Sequence, residues 1–261
     1  MTQAAGKAAE MLMSAHASEA PFAPFAAAYG IANVEDAYAV QRDYVRLQIK
    51  ARGARSAGYK IGLTSRRMQE MCGIDSPIAG VVLADRVHAS GATLRASDYG
   101  RLGIEFEIAV RLKHDLVPAG VPSLSEIAAA VDAVAAAIEI VDDRRADYRA
   151  LDVLSLIADN SWNAGIVLGE FVHPWPDLAT IEGVVTVDGN ALDRGSGGDV
   201  LGHPFYPVAW LASHLAAQGG GLRAGDIVMT GSIVTTKFPD RSSSYRFDVR
   251  GLGSAAVTVA L

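Results

Sequence analysis

Two glutamates one residue apart, Glu105 and Glu107, lie inside the apolar run 103–110 (GIEFEIAV). In an extended strand Ile104, Phe106, Ile108 and Val110 take one face and the two carboxylates the other, about 7 Å apart. A half-buried strand with a wetted acidic face is the plain account of that pattern. Against it, the acidic row continues with Ala109, and no basic neighbour separates the like charges. If that face is enclosed, a divalent cation relieves the repulsion. A third carboxylate, Glu139, interrupts the apolar run 136–141 (AAIEIV). A buried carboxylate is rarely left alone, because its desolvation is costly unless it is paired or ligated. Glu139 can sit at a helix end, or pair with Arg144 or Arg145. It can also join Glu105 and Glu107 as three hard oxygen ligands. Such a set, without imidazole or thiolate, suits Mg2+ or Mn2+, with water or substrate oxygens in the remaining positions.

Lys60 stands in GYKIGLTS (58–65), between glycines and among apolar neighbours. A strand lysine can snorkel outward along its stem. It can equally be held at a reacting centre, where carboxylates raise its proton affinity and burial or a metal lowers it. Two more segments gather small polar groups. Asp159, Asn160 and Ser161 open DNSWNAG (159–165), a composition common in turns. Thr230, Gly231 and Ser232 follow the short run 226–229, and glycine there lets backbone N–H groups and a hydroxyl face a carboxylate. Other chemistries find no footing. The six histidines show no paired ligand spacing, and the single cysteine, Cys72, excludes an internal disulfide and a thiolate zinc cage. Neither a G-x-S-x-G elbow nor a glycine-rich phosphate loop occurs.

Elements to hold these residues are legible around them. The first twenty residues read as a helix with frayed ends, and 36–53 as an amphipathic helix. There Ala37, Val40, Tyr44, Leu47 and Ile49 lie near one side, and Gly53 is the stop. Residues 58–62 predict a strand and 65–71 a polar helical turn. From Ile78 onward, short apolar runs bounded by Gly, Asp and Asn predict a β-rich body. Its strands are expected at 104–112, 165–169, 182–187, 226–229, 245–249 and 255–261. Ser123 and Glu126 form a capping-box pattern that opens an Ala-rich helix, expected to reach about residue 136. A second helix is expected over about 207–218, closed by the glycines 219–221.

With 261 residues, half of them hydrophobic, the chain is long enough for a sizeable core. It reads as one functional domain, 1–261, with a mainly helical part over 1–75 and a β-rich catalytic body over 76–261. A net charge of −6 argues against nucleic acid as a partner. No run of about 18 apolar residues occurs, so no membrane span is expected. No segment has the character of a signal peptide, which makes the cytoplasm the expected location.

Five segments, in order, carry a resemblance: GYKIGLTS, IEFEIAV, AAIEIVD, LIADNSWNAGIVLG and RAGDIVMTGS. Together they resemble the 2-oxo-4-enoate hydratases and the related 4-oxalocrotonate decarboxylases, of the fumarylacetoacetate-hydrolase superfamily, from about residue 36 to the C-terminus. The resemblance implies an α+β fold, a mixed β-sandwich-like roll with flanking helices, assembled as a homo-oligomer. It implies Glu105, Glu107 and Glu139 as metal ligands and Lys60 as the acid–base residue. Ser232, with Gly231, falls on the turn that holds the substrate carboxylate, and Asp159, Asn160 and Ser161 on a loop at the pocket edge. The implied substrate is a small 2-oxo acid, hydrated to a 4-hydroxy-2-oxo acid in aromatic ring breakdown. Decarboxylation of 2-oxo-3-hexenedioate and carbon–carbon hydrolysis of an acylpyruvate are the alternatives. One position departs. The hydratases usually carry an acidic residue after the proline of a D-x-P segment, and here Asp75-Ser76-Pro77 is followed by Ile78.

Overall fold

A computed structural model describes residues 3–261; residues 1 and 2, where the expected N-terminal helix begins, lie outside the described residues. The chain opens with helices α1 (Gln3–Ala17) and α2 (Val34–Arg52). Local chemistry sets the bounds of α2. Asn33 accepts the Asp36 N–H at its start, and Glu35 and Asp36 fill the first turn. Lys50 and Arg52 fill the last turn, and Gly53 closes the helix at φ 62°. Then follow β1 (Ser56–Gly62), α3 (Arg66–Cys72), β2 (Ile78–Leu83), β3 (Val87–Ala89), β4 (Ala92–Arg95) and β5 (Leu102–Leu112). The middle of the chain supplies α4 (Leu124–Ala130), β6 (Val131–Asp142), α5 (Val153–Ala158), β7 (Asn163–Leu168), β8 (Glu182–Val187) and β9 (Asn190–Ser196). It ends with α6 (Phe205–Ala217), β10 (Ile227–Ser232), β11 (Ser243–Val249) and β12 (Gly253–Ala260).

The strands form two mixed sheets, one of seven in the order β2-β1-β10-β5-β6-β7-β3 and one of five in the order β4-β12-β11-β8-β9. This is the α+β, sandwich-like arrangement with flanking helices that the resemblance implies. The alternation expected at 104–112 holds in β5. Its apolar face meets the second sheet, with the Phe106 ring 5.6 Å from Phe247 and 6.5 Å from Tyr245. Its other face carries the glutamates beside a small cluster of Val82, Ala109, Ala137, Ile166 and Met229. The mainly helical first part is not separate from the sheet, since β1 lies between β2 and β10. No helix among the described residues is long and apolar enough to cross a membrane.

The helix expected to reach about residue 136 ends at Ala130, and the alanines that follow belong to β6. The capping box is formed, with Ser123 accepting from the Glu126 N–H and Glu126 from the Ser123 N–H. What overrides alanine's helix preference is non-local. β6 is paired along its length with β5 on one side, and from Ala137 to Val141 with β7 on the other. Ala135, Ala136 and Ala137 are fully buried there, where small side chains admit close packing on both faces.

Candidate metal centre

The antiparallel register of β5 and β6 sets Glu105 directly opposite Glu139, while Glu107 faces Ser232 across the β5–β10 pair. One carboxylate oxygen from each glutamate falls within 4.8 Å of the other two. Like charges facing each other across strands destabilise a sheet, and here Glu107 and Glu139 are both 0% exposed. Lys60, on β1, is 4% exposed and sets its ammonium 3.2 Å from Glu139 Oε1. One ammonium against three ionised carboxylates leaves two negative charges, the charge that a single divalent cation balances.

Each carboxylate is also held by one neutral donor. The Gly231 N–H donates to Glu107 Oε2 at 2.7 Å. Asn163 Nδ2 donates to Glu139 Oε1 at 2.9 Å, and Thr236 Oγ1 to Glu105 Oε1 at 2.5 Å. Glu107 Oε1 and Glu139 Oε2 are buried with no hydrogen-bond partner. Buried carboxyl oxygens left bare in this way are uncommon in folded proteins, and a cation would satisfy them. The residues therefore fit a hard divalent cation.

Proton affinities show the same strain. Burial pushes Glu107 well above the usual carboxylate range, and the neighbouring Glu139 and Glu105 add to it. Burial lifts Glu139 to about 7 against the pull of Lys60 and Asn163. Burial alone would lower Lys60, but Glu139, Glu105 and Glu107 together hold its ammonium above the ordinary lysine range.

Two glycines make this placement possible. Gly231 (φ 112°) lies at a register shift of β10, and a Cβ there would stand 2.2 Å from Thr64 Oγ1. Gly80 pairs with Lys60 across the β1–β2 ladder; a Cβ on it would stand 2.5 Å from the Asn160 carbonyl oxygen and 3.2 Å from Lys60 Cγ. The lysine stem therefore runs through space that any larger residue would fill.

Of the residues singled out in the sequence, Lys60, Glu105, Glu107, Glu139 and the Gly231 N–H come together. The side chains of the others bond within the protein. Asn160 accepts from the Val81 N–H at 2.7 Å and donates to its carbonyl at 2.9 Å. Ser161 Oγ donates to the Ala79 carbonyl at 3.0 Å. Asp159 is buried against Arg144 and pairs with His16 Nε2 at 2.7 Å. Ser232 Oγ donates to the Val234 carbonyl at 2.8 Å. Asn160, Ser161 and Trp162 all take left-handed conformations (φ 52°, 51° and 57°), a turn that delivers Asn163 to Glu139. Asn163 and Thr236 are the residues that sequence reasoning missed. A polar side chain entering a strand was the one faint signal for Asn163, and Thr236 had none.

Ile78 borders the same space. Its Cγ1 and the Lys60 Nζ each lie 3.4 Å from the point where a Cβ of Gly62 would stand.

A family model described as fumarylacetoacetate (FAA) hydrolase C-terminal matches residues 54–260. A 2-keto-4-pentenoate hydratase of Burkholderia vietnamiensis is 34% identical over 224 residues, covering 85% of this chain and 84% of that one. The 4-oxalocrotonate decarboxylase from Pseudomonas putida G7 has been solved with magnesium and adipate. That structure superposes with a TM-score of 0.92 at 29% identity, covering 99% of this chain and 98% of the other. Its complex with calcium and acetate gives 0.91 at the same identity and coverage. With a match across most of its length and a fold shared almost end to end, this chain belongs to the fumarylacetoacetate hydrolase family.

Proposed function

We propose that the protein is a divalent-metal-dependent hydratase. It would take a 2-hydroxy-2,4-dienoate, or its 2-oxo-4-enoate tautomer, to a 4-hydroxy-2-oxo acid in the breakdown of aromatic compounds. The observation that carries this reading is the trio Glu105, Glu107 and Glu139 with two bare buried oxygens beside a buried lysine. Those glutamates would hold Mg2+ or Mn2+, which when bound supplies Lewis acidity toward the substrate's 1-carboxylate and 2-oxygen. Lys60 enters protonated, since the surrounding carboxylates raise its proton affinity, and moves the proton that turns the dienol into an unsaturated ketone. Water adding at C4 completes the hydration. Gly231, Ser232, Asn160, Ser161 and Asp159 shape the substrate's surroundings through the strands they fix. We further assign the whole chain, 1–261, to one functional unit, working as a homo-oligomer in the cytoplasm; family likeness supports this.

A second reading, decarboxylation of 2-oxo-3-hexenedioate, draws on Ile78. An apolar side chain beside Lys60 offers no carboxylate to steer water, and it suits a carboxylate leaving as carbon dioxide. Incubation with 2-hydroxypenta-2,4-dienoate and with 2-oxo-3-hexenedioate, with Mg2+ or with a chelator, decides between them. Metal-dependent loss of dienol absorbance without gas release is expected, and it should disappear in Lys60→Ala. Carbon dioxide released from the diacid would replace hydration with the second reading.

A further inference from the structure

The three glutamates are alike in one respect that their charge does not require. On each, one neutral donor is fixed on one oxygen: Thr236 Oγ1 on Glu105, the Gly231 N–H on Glu107, and Asn163 Nδ2 on Glu139. The second oxygens of Glu107 and Glu139 are buried and bare. The second oxygen of Glu105 accepts no hydrogen bond among the described residues. We propose that Thr236 and Asn163 are positioning residues that confine Glu105 and Glu139 to one ligating oxygen each, and so make the site selective for magnesium over calcium. This rests on the reading of the trio as a metal site.

The physical basis lies in the two ions. Magnesium demands a near-regular shell of about six single oxygens, whereas calcium accepts up to about eight and readily takes both oxygens of one carboxylate. A donor fixed on one oxygen makes two-oxygen ligation costly, because it takes one of that oxygen's lone pairs and fixes the turn of the carboxylate. Glu107 is held by backbone, at a bulge that a Cβ on Gly231 would disrupt, so no side-chain change can release it. Glu139 Oε1 is engaged twice, by Asn163 and by Lys60 at 3.2 Å. Glu105 is the least buried of the three and has Thr236 as its one donor. Glu105 is therefore the ligand most readily released, and Thr236 is the place to release it.

The experiment is calorimetric titration of the full-length protein with Mg2+ and, separately, with Ca2+, after removal of metal by chelator. Wild type is compared with Thr236→Val, Thr236→Ser, Asn163→Ala and the double variant Thr236→Val/Asn163→Ala. Thr236→Val keeps the shape and deletes the donor. It should weaken Mg2+ binding by about tenfold, within the usual effect of losing such a support, and weaken Ca2+ binding far less. The ratio of the two dissociation constants should then move toward calcium by roughly fivefold or more, and further in the double variant. Thr236→Ser should stay within about twofold of wild type. Thermal unfolding in chelator identifies any variant that is merely misfolded; if Asn163→Ala is, the Thr236 pair alone carries the test. Equal weakening for both ions, or no change in either, overturns the proposal and leaves the metal site standing. A wild-type protein that binds neither ion at millimolar concentration ends both.

Discussion

Asp143 and Asp159 are as deeply buried as Glu107 and Glu139, yet their oxygens are treated differently. Asp143 receives Arg101 Nε at 2.8 Å, a second bond from the same guanidinium, the Arg145 N–H at 3.0 Å and the Tyr148 hydroxyl at 3.1 Å. Asp159 is bonded by Arg144 and His16. Two carboxylates thus meet two guanidiniums, and no oxygen of either is left bare among the described residues. The network also ties the N-terminal part to the sheet, because His16 comes from α1 and Arg144 donates to the Ala20 carbonyl at 2.9 Å. The glutamate trio has one ammonium for three charges and two orphaned oxygens. Burial alone does not distinguish a structural carboxylate from a functional one. The shortfall in partners does.

Substitution separates the two regions most sharply. Asp159→Ala leaves Arg144 buried without its counter-charge, which should cost about 3–5 kcal/mol of stability while Mg2+ affinity survives in the protein that folds. Glu107→Gln should do the reverse: Mg2+ binding falls by about a hundredfold or more, as expected when a direct ligand is lost rather than its support. The metal-free protein should meanwhile be no less stable than wild type, because a repelling charge has gone. Chemical unfolding in chelator and calorimetric titration measure the two sides. If Glu107→Gln destabilises the metal-free protein as much as Asp159→Ala, the contrast fails.

A smaller effect comes with pH. Burial lifts Glu139 to about 7 in the folded protein, whereas in the unfolded chain it returns to the ordinary glutamate value of about 4.5. A carboxyl whose folded value is raised holds its proton more tightly in the native state, so its stabilisation is complete below about 4.5 and disappears as pH rises through about 7. The raised Glu107 acts in the same direction. Metal-free protein should therefore lose stability across that window, and saturating Mg2+ should restore it at the upper end. Asp159→Ala should keep the slope and Glu139→Gln should flatten it. A metal-free protein that gains stability over the same range would show that the glutamates are not the repelling set.

The legible part of this site was the part written along one strand. Alternation around Phe106 put Glu105 and Glu107 on one face, and β5 keeps that pattern. Glu139 stood out for its apolar company even though the alanines before it predicted helix. Its placement opposite Glu105 depends on β6 lying between β5 and β7, which nothing local in an alanine run records. Texture predicted three strands of the second sheet, β8, β11 and β12, but not β4 or β9, which complete it at its edges. Asn163 and Thr236 were illegible for the same reason as the register: each is an ordinary polar residue until the fold brings a carboxylate to it. Asp159, Asn160 and Ser161 were conspicuous as polar residues, but their partners, in α1 and β2, are 80 or more residues away in some cases and could not be read locally.

The smallest predicted effect is the most discriminating, because it removes the same chemical group from each region. The Tyr148 hydroxyl donates to Asp143 Oδ2, as Thr236 donates to Glu105. Burial, and then Asp143, push the Tyr148 phenol well above its ordinary value, so it remains a donor throughout the working range. Tyr148→Phe keeps the ring against Trp162, at 5.8 Å in edge-on contact, and deletes the hydroxyl alone. Asp143 still has Arg101 and the Arg145 N–H, so the loss should be that of one hydrogen bond, about 0.5–1.5 kcal/mol of stability. Mg2+ affinity should not move. Thr236→Val deletes a comparable donor, yet its effect should fall on the ion and hardly on unfolding. Tyr148 is near enough to Glu105 to feel its charge, which makes a neutral result for Mg2+ informative. If Tyr148→Phe weakens Mg2+ as Thr236→Val does, the two acidic regions act as one electrostatic unit, and the distinction between satisfied and unsatisfied carboxylates no longer separates structure from function here.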